Sequence, residues 1–64
     1  MKDETIEVAC FFGYETDAAV QITDPASGEV MWIPFSQVES MHKATDGSGT
    51  IVMTRWIAGK KGLL

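Results

Sequence analysis

The segment Met31-Trp32-Ile33-Pro34-Phe35-Ser36-Gln37-Val38-Glu39 decides the fold of this chain. Its first three residues are large and apolar and are typical of a β-strand. Pro34 ends that strand, because proline has no N–H group to donate to a sheet ladder. The next three residues are predicted to form a single 3₁₀ turn, and a new strand is predicted from Val38 to Lys43. The segment therefore predicts two short strands joined by one helical turn.

Three more strands are predicted on either side of this segment. In residues 5–14 the side chains alternate with a period of two, which indicates a half-buried strand with its even-numbered positions toward the core. Residues 18–23 are predicted to pair with it as a hairpin. Turns are predicted at Asp24–Gly28 and Thr45–Gly49, where proline and glycine favour tight corners. The five predicted strands are residues 5–14, 18–23, 29–33, 38–43 and 50–53.

The sequence closes with a predicted short helix. Thr54 can cap it, because a threonine hydroxyl accepts a backbone N–H at a helix start. The helix would cover Arg55–Ala58 and stop at Gly59 or Gly62. Together these elements predict a mainly β (α+β) fold: a small, strongly bent antiparallel sheet or barrel of about five strands with a short C-terminal helix, in one domain over residues 1–64.

Length and composition exclude several classes of protein. A 64-residue chain buries only about 60% of the surface that its unfolded form exposes, so its stability is marginal. The single cysteine, Cys10, cannot form an internal disulfide bond. With one histidine, His42, the chain also lacks the ligand set of a typical zinc site. We therefore expect no metal and no cofactor, and a fold held by apolar packing alone.

The sequence carries no signal for export or for a membrane. Residues 1–4 lack the basic and then apolar pattern of a secretory signal, and no apolar run approaches the ~20 residues of a membrane helix. One unpaired cysteine fits a reducing compartment. The expected location is the cytoplasm, and no membrane partner is expected.

Charge is distributed unevenly along the chain. Residues 1–42 carry eight carboxylates and one lysine, a net of −7, whereas residues 43–64 carry four basic residues and one aspartate, a net of +3. A nucleic-acid binder needs a basic footprint to neutralise phosphates. Direct binding to nucleic acid is therefore not expected, and the asymmetry instead fits a basic protein partner.

The residue types needed for catalysis do not form a usable set. Cys10 lies on the predicted apolar face of the first strand, where burial raises the pKa of a thiol and leaves it inert. His42 is expected at an exposed strand end with nothing to orient its ring. Carboxylates at turns and strand edges lack the two different environments that an acid–base pair requires. Gly47 and Gly49 lack the Lys-Ser/Thr that follows a phosphate-binding loop. We expect no enzymatic activity and no catalytic residues.

The aromatic residues divide into a predicted core group and a predicted contact group. Trp32 and Trp56 are expected to be structural, because aromatic burial dominates the energetics of so small a core. Trp56 and Ile57 are expected to pack over an open end of the sheet. The alternative is that one tryptophan is partly exposed and anchors a partner. Phe11 is the better candidate for an exposed anchor, since it lies on the face of the first strand opposite to Cys10.

The acidic residues of the first hairpin and the following turn form the predicted binding site. Solubility explains a net charge of this size equally well. Grouped carboxylates, however, set up a negative field that steers a basic groove onto the protein. The predicted partner-binding residues, besides Phe11 as an apolar contact, are Glu7, Glu15, Asp17, Asp24 and Glu29. The expected oligomeric state is a monomer.

Residues 31–39 resemble the part of Src-homology-3-like (SH3-like) barrels in which a strand ends at proline, makes a 3₁₀ turn and enters the last strand. The resemblance implies an SH3-like barrel as one form of the bent sheet. The acidic and aromatic loop and the paired tryptophans with which that family binds proline-rich peptides are not recognisable in this sequence. Barrel architecture is therefore implied, and proline-peptide binding is not.

Over most of its length the chain resembles the small acidic proteins of bacteriophages and other mobile elements. Residues 29–39 and 55–63 match a recurrent phage pattern, in which W-I/L-P-x-S-Q-I/V is followed by a W-L/I-A…K-G-L helix. Inhibitors of CRISPR–Cas systems are a prominent class of such proteins, and several place carboxylates where target-DNA phosphates bind. The resemblance implies an anti-CRISPR inhibitor in the bacterial host cytoplasm. It would bind the basic DNA-binding groove of a type I surveillance complex stoichiometrically, as a mimic of DNA.

Two other functions remain open from the sequence. An SH3-like peptide- or protein-binding adaptor, such as a phage accessory or assembly module, would use a hydrophobic groove near Trp32 and Phe35. Its binding would depend little on salt. A contact through the basic end of the chain would use Arg55, Lys60 and Lys61, although basic residues there also complement a helix dipole.

Overall fold

A computed structural model describes residues 4–64 and contains one five-stranded sheet followed by a short helix. The elements are β1 (Thr5–Glu15), β2 (Ala19–Thr23), β3 (Val30–Pro34), a 3₁₀ turn (Phe35–Gln37), β4 (Val38–Lys43), β5 (Ser48–Thr54) and α1 (Arg55–Lys60). The mainly β, α+β fold predicted from the sequence is confirmed. β5 begins two residues earlier than predicted, because the N–H of Ala44 already bonds to the carbonyl of Ser48, at 2.7 Å.

All strand pairs in this sheet are antiparallel, in the order β3-β2-β1-β5-β4. β3 and β4 form the two edges and do not pair with each other, so the sheet is the bent, unclosed form of the prediction. The predicted corner at Pro34 is present, since β3 ends there, the 3₁₀ turn follows and β4 begins at Val38. The strand entered is the fourth and not the last, which differs from the SH3-like pattern.

The two halves of β1 pair with different strands, and the second half contains the irregularity that bends the sheet. Residues 5–11 pair with β5, and residues 11–15 pair with β2. The register with β2 shifts between Phe12 and Glu15, which marks a β-bulge, and a bulge bends and twists its strand. The predicted alternation holds as far as Phe12 and is wrong at Tyr14, whose side chain is 79% exposed. The bulge interrupts the period of two at this point.

One face of the sheet, called the inner face below, carries the core. Cross-strand neighbours point to the same side of a sheet, and the registers put Val8 beside Ile51 and Ile22 beside Met31. Removing such side chains from water stabilises the fold by ~25 cal/mol per Å² of apolar surface. The buried apolar residues are Cys10, Val20, Ile22, Ile33, Ile51, Met53, Ile57 and Ala58. The opposite side of the sheet is called the outer face.

The start of α1 is fixed by the predicted cap. The Thr54 hydroxyl accepts a hydrogen bond from the N–H of Ile57 at 3.3 Å. The same hydroxyl lies 2.7 Å from the side-chain oxygen of Gln37 and donates to it. Thr54 therefore ties the helix to the 3₁₀ turn as well as capping it.

The end of α1 closes over the core. Gly62 has a φ of +76°, and the N–H of Leu63 donates to the carbonyl of Ala58 at 2.8 Å, as in a Schellman motif. Ile57 and Ala58 are buried, whereas Trp56 is 58% exposed. The prediction that Trp56 packs over the sheet is wrong, because a six-residue helix presents one narrow stripe to the core and Ile57 and Ala58 occupy it.

No helix in residues 4–64 has the length and apolar character that crossing a membrane requires. The predicted lack of a secretory signal concerns the first four residues, and residues 1–3 lie outside the described residues.

Gly49 lies where β5 packs closely against both neighbouring strands. It pairs with Cys10 of β1 and Lys43 of β4. A Cβ atom at this position would collide with the carbonyl oxygen of His42 and lie 2.9 Å from the Phe12 ring. We expect Gly49→Ala to lower the free energy of unfolding by about 1–3 kcal/mol, the usual cost of overpacking. Chemical denaturation followed by tryptophan fluorescence measures this loss.

Gly59→Ala is the matched control for that variant. Gly59 is exposed in α1, and an added Cβ would have only Leu64 near it, at 3.7 Å. Alanine is favoured over glycine in a helix by ~0.8–1 kcal/mol, so this variant is expected to be at least as stable as the parent. Equal losses in the two variants would contradict close packing at Gly49.

Candidate protein-binding surface

Three large apolar side chains are exposed on the outer face of β1, β2 and β3. Phe11 is 47% exposed, Val30 is 59% exposed and Trp32 is 40% exposed. The register places Phe11 and Val30 on either side of Thr23, in one row across three strands. Trp32 lies in the next row, beside Gln21. Phe11, Val30 and Trp32 are called the outer patch below.

The alternation of side chains along β3 puts Val30 and Trp32 on the outer face. Along β3, Met31 and Ile33 pack on the core, so Val30 and Trp32 point to the other side. Each exposed apolar side chain forgoes the free energy that burial would provide. Grouped apolar side chains on the surface of a small protein mark an interaction site more often than scattered ones do. The outer patch is therefore the candidate contact surface.

The predicted exposure of Phe11 is confirmed, whereas the predicted burial of both tryptophans is wrong. Trp32 belongs to the outer patch, and Trp56 lies on the solvent side of α1. The sequence already indicated that Trp32 is exposed, because alternate residues of a strand share a face and Trp32 lies two residues from Val30 and next to the buried Ile33. The prediction of burial rested on the size of the indole ring and gave that alternation too little weight.

The turn between β2 and β3 places two predicted acidic residues beside the outer patch. The Asp24 carboxylate accepts from the N–H of Ala26 at 3.0 Å and from the hydroxyl of Ser27 at 3.2 Å, which fixes the turn. The N–H of Asp24 donates to the carbonyl of Glu29 at 2.9 Å. Asp24 follows β2 and Glu29 directly precedes Val30, so both residues lie in the turn next to the outer patch, although alternation along the strands gives them the side of Ile22 and Met31.

Glu7 lies on the outer face of the sheet. Its neighbour across the β1–β5 pair is Val52, and it is exposed. It is four positions before Phe11 on β1, and an even separation along a strand keeps both side chains on one face. Glu7 therefore puts a carboxylate on the outer face itself, at some distance along β1 from the outer patch.

Glu15 and Asp17 lie at the other end of β2. Glu15 ends β1 and Asp17 lies in the connection from β1 to β2, whereas the acidic turn described above follows β2. Glu15 forms an ion pair with Lys43, whose Nζ atom also lies 5.4 Å from the centroid of the Phe12 ring. The five predicted acidic residues therefore do not form one cluster, and Lys43 offsets the charge of Glu15.

The basic end of the chain is partly engaged within the fold. Nη1 of Arg55 lies 3.4 Å from Oε1 of Glu4, in an exposed ion pair. Nζ of Lys60 lies 5.0 Å from the centroid of the Trp56 ring, a distance at which a cation and a ring attract. Lys61 is exposed after the helix. Two of the three predicted basic contact residues thus already have partners.

Cys10 and His42 lie on opposite faces of the sheet. Cys10 is buried on the inner face, whereas His42 is exposed and pairs with Thr50, which neighbours Ala9 on the outer face. Burial raises the pKa of the Cys10 thiol by desolvation. Within residues 4–64 no three His, Cys, Asp or Glu side chains are grouped to hold a metal ion, and no pocket is present.

Comparison of the chain with protein-family models, with curated protein sequences and with solved structures gives no match.

The burial of Cys10 predicts a thiol that reacts only when the protein opens. Its side chain is 2% exposed and its pKa is raised, so the reactive thiolate is both scarce and inaccessible at neutral pH. We expect Ellman's reagent to label the native protein at least tenfold more slowly than the protein in guanidinium chloride. Equal rates in the two states would place the thiol at the surface, against the described core.

Proposed function

We propose that this chain is a protein-binding domain that docks its outer face on a basic surface of its partner. The observation that carries the proposal is the exposure of Phe11, Val30 and Trp32 on one face, with Asp24 and Glu29 in the turn next to Val30. Apolar side chains at the centre and charges at the rim are the usual anatomy of a protein interface.

The two parts of this surface have different roles. Burial of the outer patch supplies affinity, and aromatic residues such as Trp32 are typical centres of binding energy. The carboxylates supply orientation and a faster encounter with a partner of opposite charge. Residues 3–42 contain no lysine or arginine, so no basic residue in that stretch opposes this attraction.

The specific form that we propose is an inhibitor of a type I CRISPR–Cas surveillance complex, acting in the bacterial cytoplasm by mimicry of DNA. It is supported by the acidity of residues 1–42 and by the resemblance of residues 29–39 and 55–63 to a phage pattern. The partner would be the basic groove that receives target DNA. In this form the mimicking carboxylates are Glu7, Asp24 and Glu29, with Asp17 at the far end of β2.

A peptide- or protein-binding adaptor is the second candidate, and the exposure of Trp32 favours it. In that form the outer patch alone would hold the partner, and the carboxylates would serve solubility. Phe35, which the sequence places in the same groove, packs against the core. The two candidates differ in the share of the binding energy that charge provides.

Charge reversal separates these two candidates. We expect the double variant Glu7→Lys/Glu29→Lys to weaken binding to a partner captured from bacterial lysate at least tenfold, because it puts one cation on the docking face and another in the turn next to it. The matched control is Glu39→Lys, at an exposed position of β4 away from the outer patch. Affinity is measured by calorimetry at about 0.1 M and about 1 M salt, between which the Debye length falls from about 10 to about 3 Å.

Each result of that experiment has a defined meaning. A loss in the double variant but not in the control, together with weaker binding at high salt, supports docking by charge. Salt-independent binding that survives the double variant and is lost in Phe11→Ser supports the adaptor. Binding unchanged in the double variant and in Phe11→Ser would refute the outer face as the docking surface.

The CRISPR–Cas form has a direct test with a purified type I surveillance complex. We expect the protein to abolish binding of fluorescent target DNA at about one molar equivalent, since it would occupy the groove that the DNA needs. The Glu7→Lys/Glu29→Lys variant is expected to require at least a tenfold excess. Unchanged DNA binding in the presence of excess protein would contradict this form for the complex tested.

A further inference from the structure

We propose that the free edge of β3 receives an extended, basic segment of the partner as a sixth strand of the sheet. This inference rests on the proposed function, because it names the partner segment that the outer patch and the acidic turns next to it would meet. Three features of β3 support it: its unpaired backbone groups, its lack of charged side chains, and the carboxylates at both of its ends.

The backbone hydrogen bonds of β3 leave a regular set of groups at the edge. The N–H of Asp24 bonds to Glu29, and the N–H of Phe35 bonds to Ala18, at 2.9 and 2.8 Å. In an antiparallel pair such hydrogen-bonded positions recur at every second residue. Met31 and Ile33 therefore direct their backbone groups toward β2. Those of Val30 and Trp32 point away from it.

Nothing in residues 4–64 pairs with those outward groups. β3 has β2 on one side and no strand on the other. Its last residue, Pro34, has no N–H to offer, so the site for a new strand covers Val30 to Trp32 and the carbonyl of Pro34. A strand added there would make its backbone hydrogen bonds to Val30 and Trp32, the two residues whose side chains belong to the outer patch.

The other edge of the sheet has the features that keep strands from associating. β4 carries Glu39, His42 and Lys43, and its register with β5 shifts between Val38 and Ser40. Charges and bulges of this kind protect an exposed edge from pairing with another chain. β3, with the sequence Val-Met-Trp-Ile-Pro, has only its terminal proline. The contrast assigns β3 as the edge that binds.

Charge at the two ends of β3 selects the type of segment. Asp24 and Glu29 lie at its start, and Asp17 adjoins Ala18, whose carbonyl bonds to Phe35 just after its end. An extended segment with lysine or arginine at both ends and β-branched residues between them would meet both acidic ends. Its alternate apolar side chains would lie beside Val30 and Trp32, as cross-strand neighbours do.

A second copy of this chain fits the edge less well. Each chain has a net charge of −4, and pairing two copies of β3 would bring acidic ends of the same sign into one small complex. A basic segment removes that repulsion. Self-association through β3 is therefore treated as an outcome that overturns the proposal.

The test uses synthetic strands and the ¹⁵N-labelled protein. The probe is the acetylated, amidated peptide Lys-Lys-Thr-Val-Thr-Val-Thr-Lys-Lys, titrated to millimolar concentration and followed by amide chemical shifts. We expect the largest shifts at the amides of Val30 and Trp32. Two control peptides are expected to bind at least tenfold more weakly. One has glutamate in place of lysine, and the other is N-methylated at alternate residues.

Two protein variants make the test specific to the backbone. Val30→Pro removes an N–H that points away from β2, a change that edge strands tolerate, and is expected to weaken peptide binding at least tenfold. Val30→Thr keeps the N–H and the branched side chain and is expected to bind within about threefold of the parent. If Val30→Pro unfolds, the N-methylated peptide on the parent protein gives the same information.

Four outcomes of the peptide titration overturn the proposal. They are shifts that map away from β3, equal binding of the acidic peptide, full binding of the N-methylated peptide, and concentration-dependent shifts at Val30 and Trp32 without peptide. The last would identify a second copy as the occupant. If Val30→Pro still binds the captured partner while the Glu7→Lys/Glu29→Lys variant does not, this inference fails and the proposed function stands. If neither of these variants nor Phe11→Ser affects that partner, the proposed function fails as well.

Discussion

The division of β1 between two partner strands is the constraint on which the rest of the structure depends. A flat sheet of five strands would leave its apolar face exposed, and most domains cover such a face with a second layer. Residues 4–64 contain one short α-helix for that purpose. β5 holds the first half of β1 and β2 holds the second, and the register shift in that second half bends the sheet around its own inner face. The bulge between Phe12 and Glu15 is the local form of that bend.

The bend limits the size of the core, and this limit explains the composition of the surface. Eight residues are buried in the described part of the chain, and most of them are Ile, Val or Met. Such side chains fill a narrow curved space better than an indole ring does. Both tryptophans lie outside it. A chain of this length therefore exposes aromatic surface that a larger domain would bury, and that surface is available for a partner.

The sequence predicted the elements well because each depends on neighbours along the chain. Alternation identified β1, proline ended β3, and Thr54 capped α1 as expected. What it missed depends on contacts between distant residues. Lys43 belongs to the basic part of the sequence, yet it pairs with Glu15 of the acidic part, so segregation of charge along the chain is not segregation in space. Likewise, two pairs of carboxylates that are close in sequence lie at opposite ends of β2: Glu15 and Asp17 before it, and Asp24 and Glu29 after it.

The position of β5 has a consequence for how the molecule is made. β5 is synthesised after the other four strands of the sheet, yet it lies inside the sheet, between β1 and β4. Until residues 48–54 have left the ribosome, the first half of β1 has no partner strand, and β4 has none either. Only the β1–β2–β3 meander can form earlier, and it holds four of the eight buried residues, so its core is incomplete. The domain therefore completes its fold after β5 emerges, at a rate set by contacts that span most of the chain.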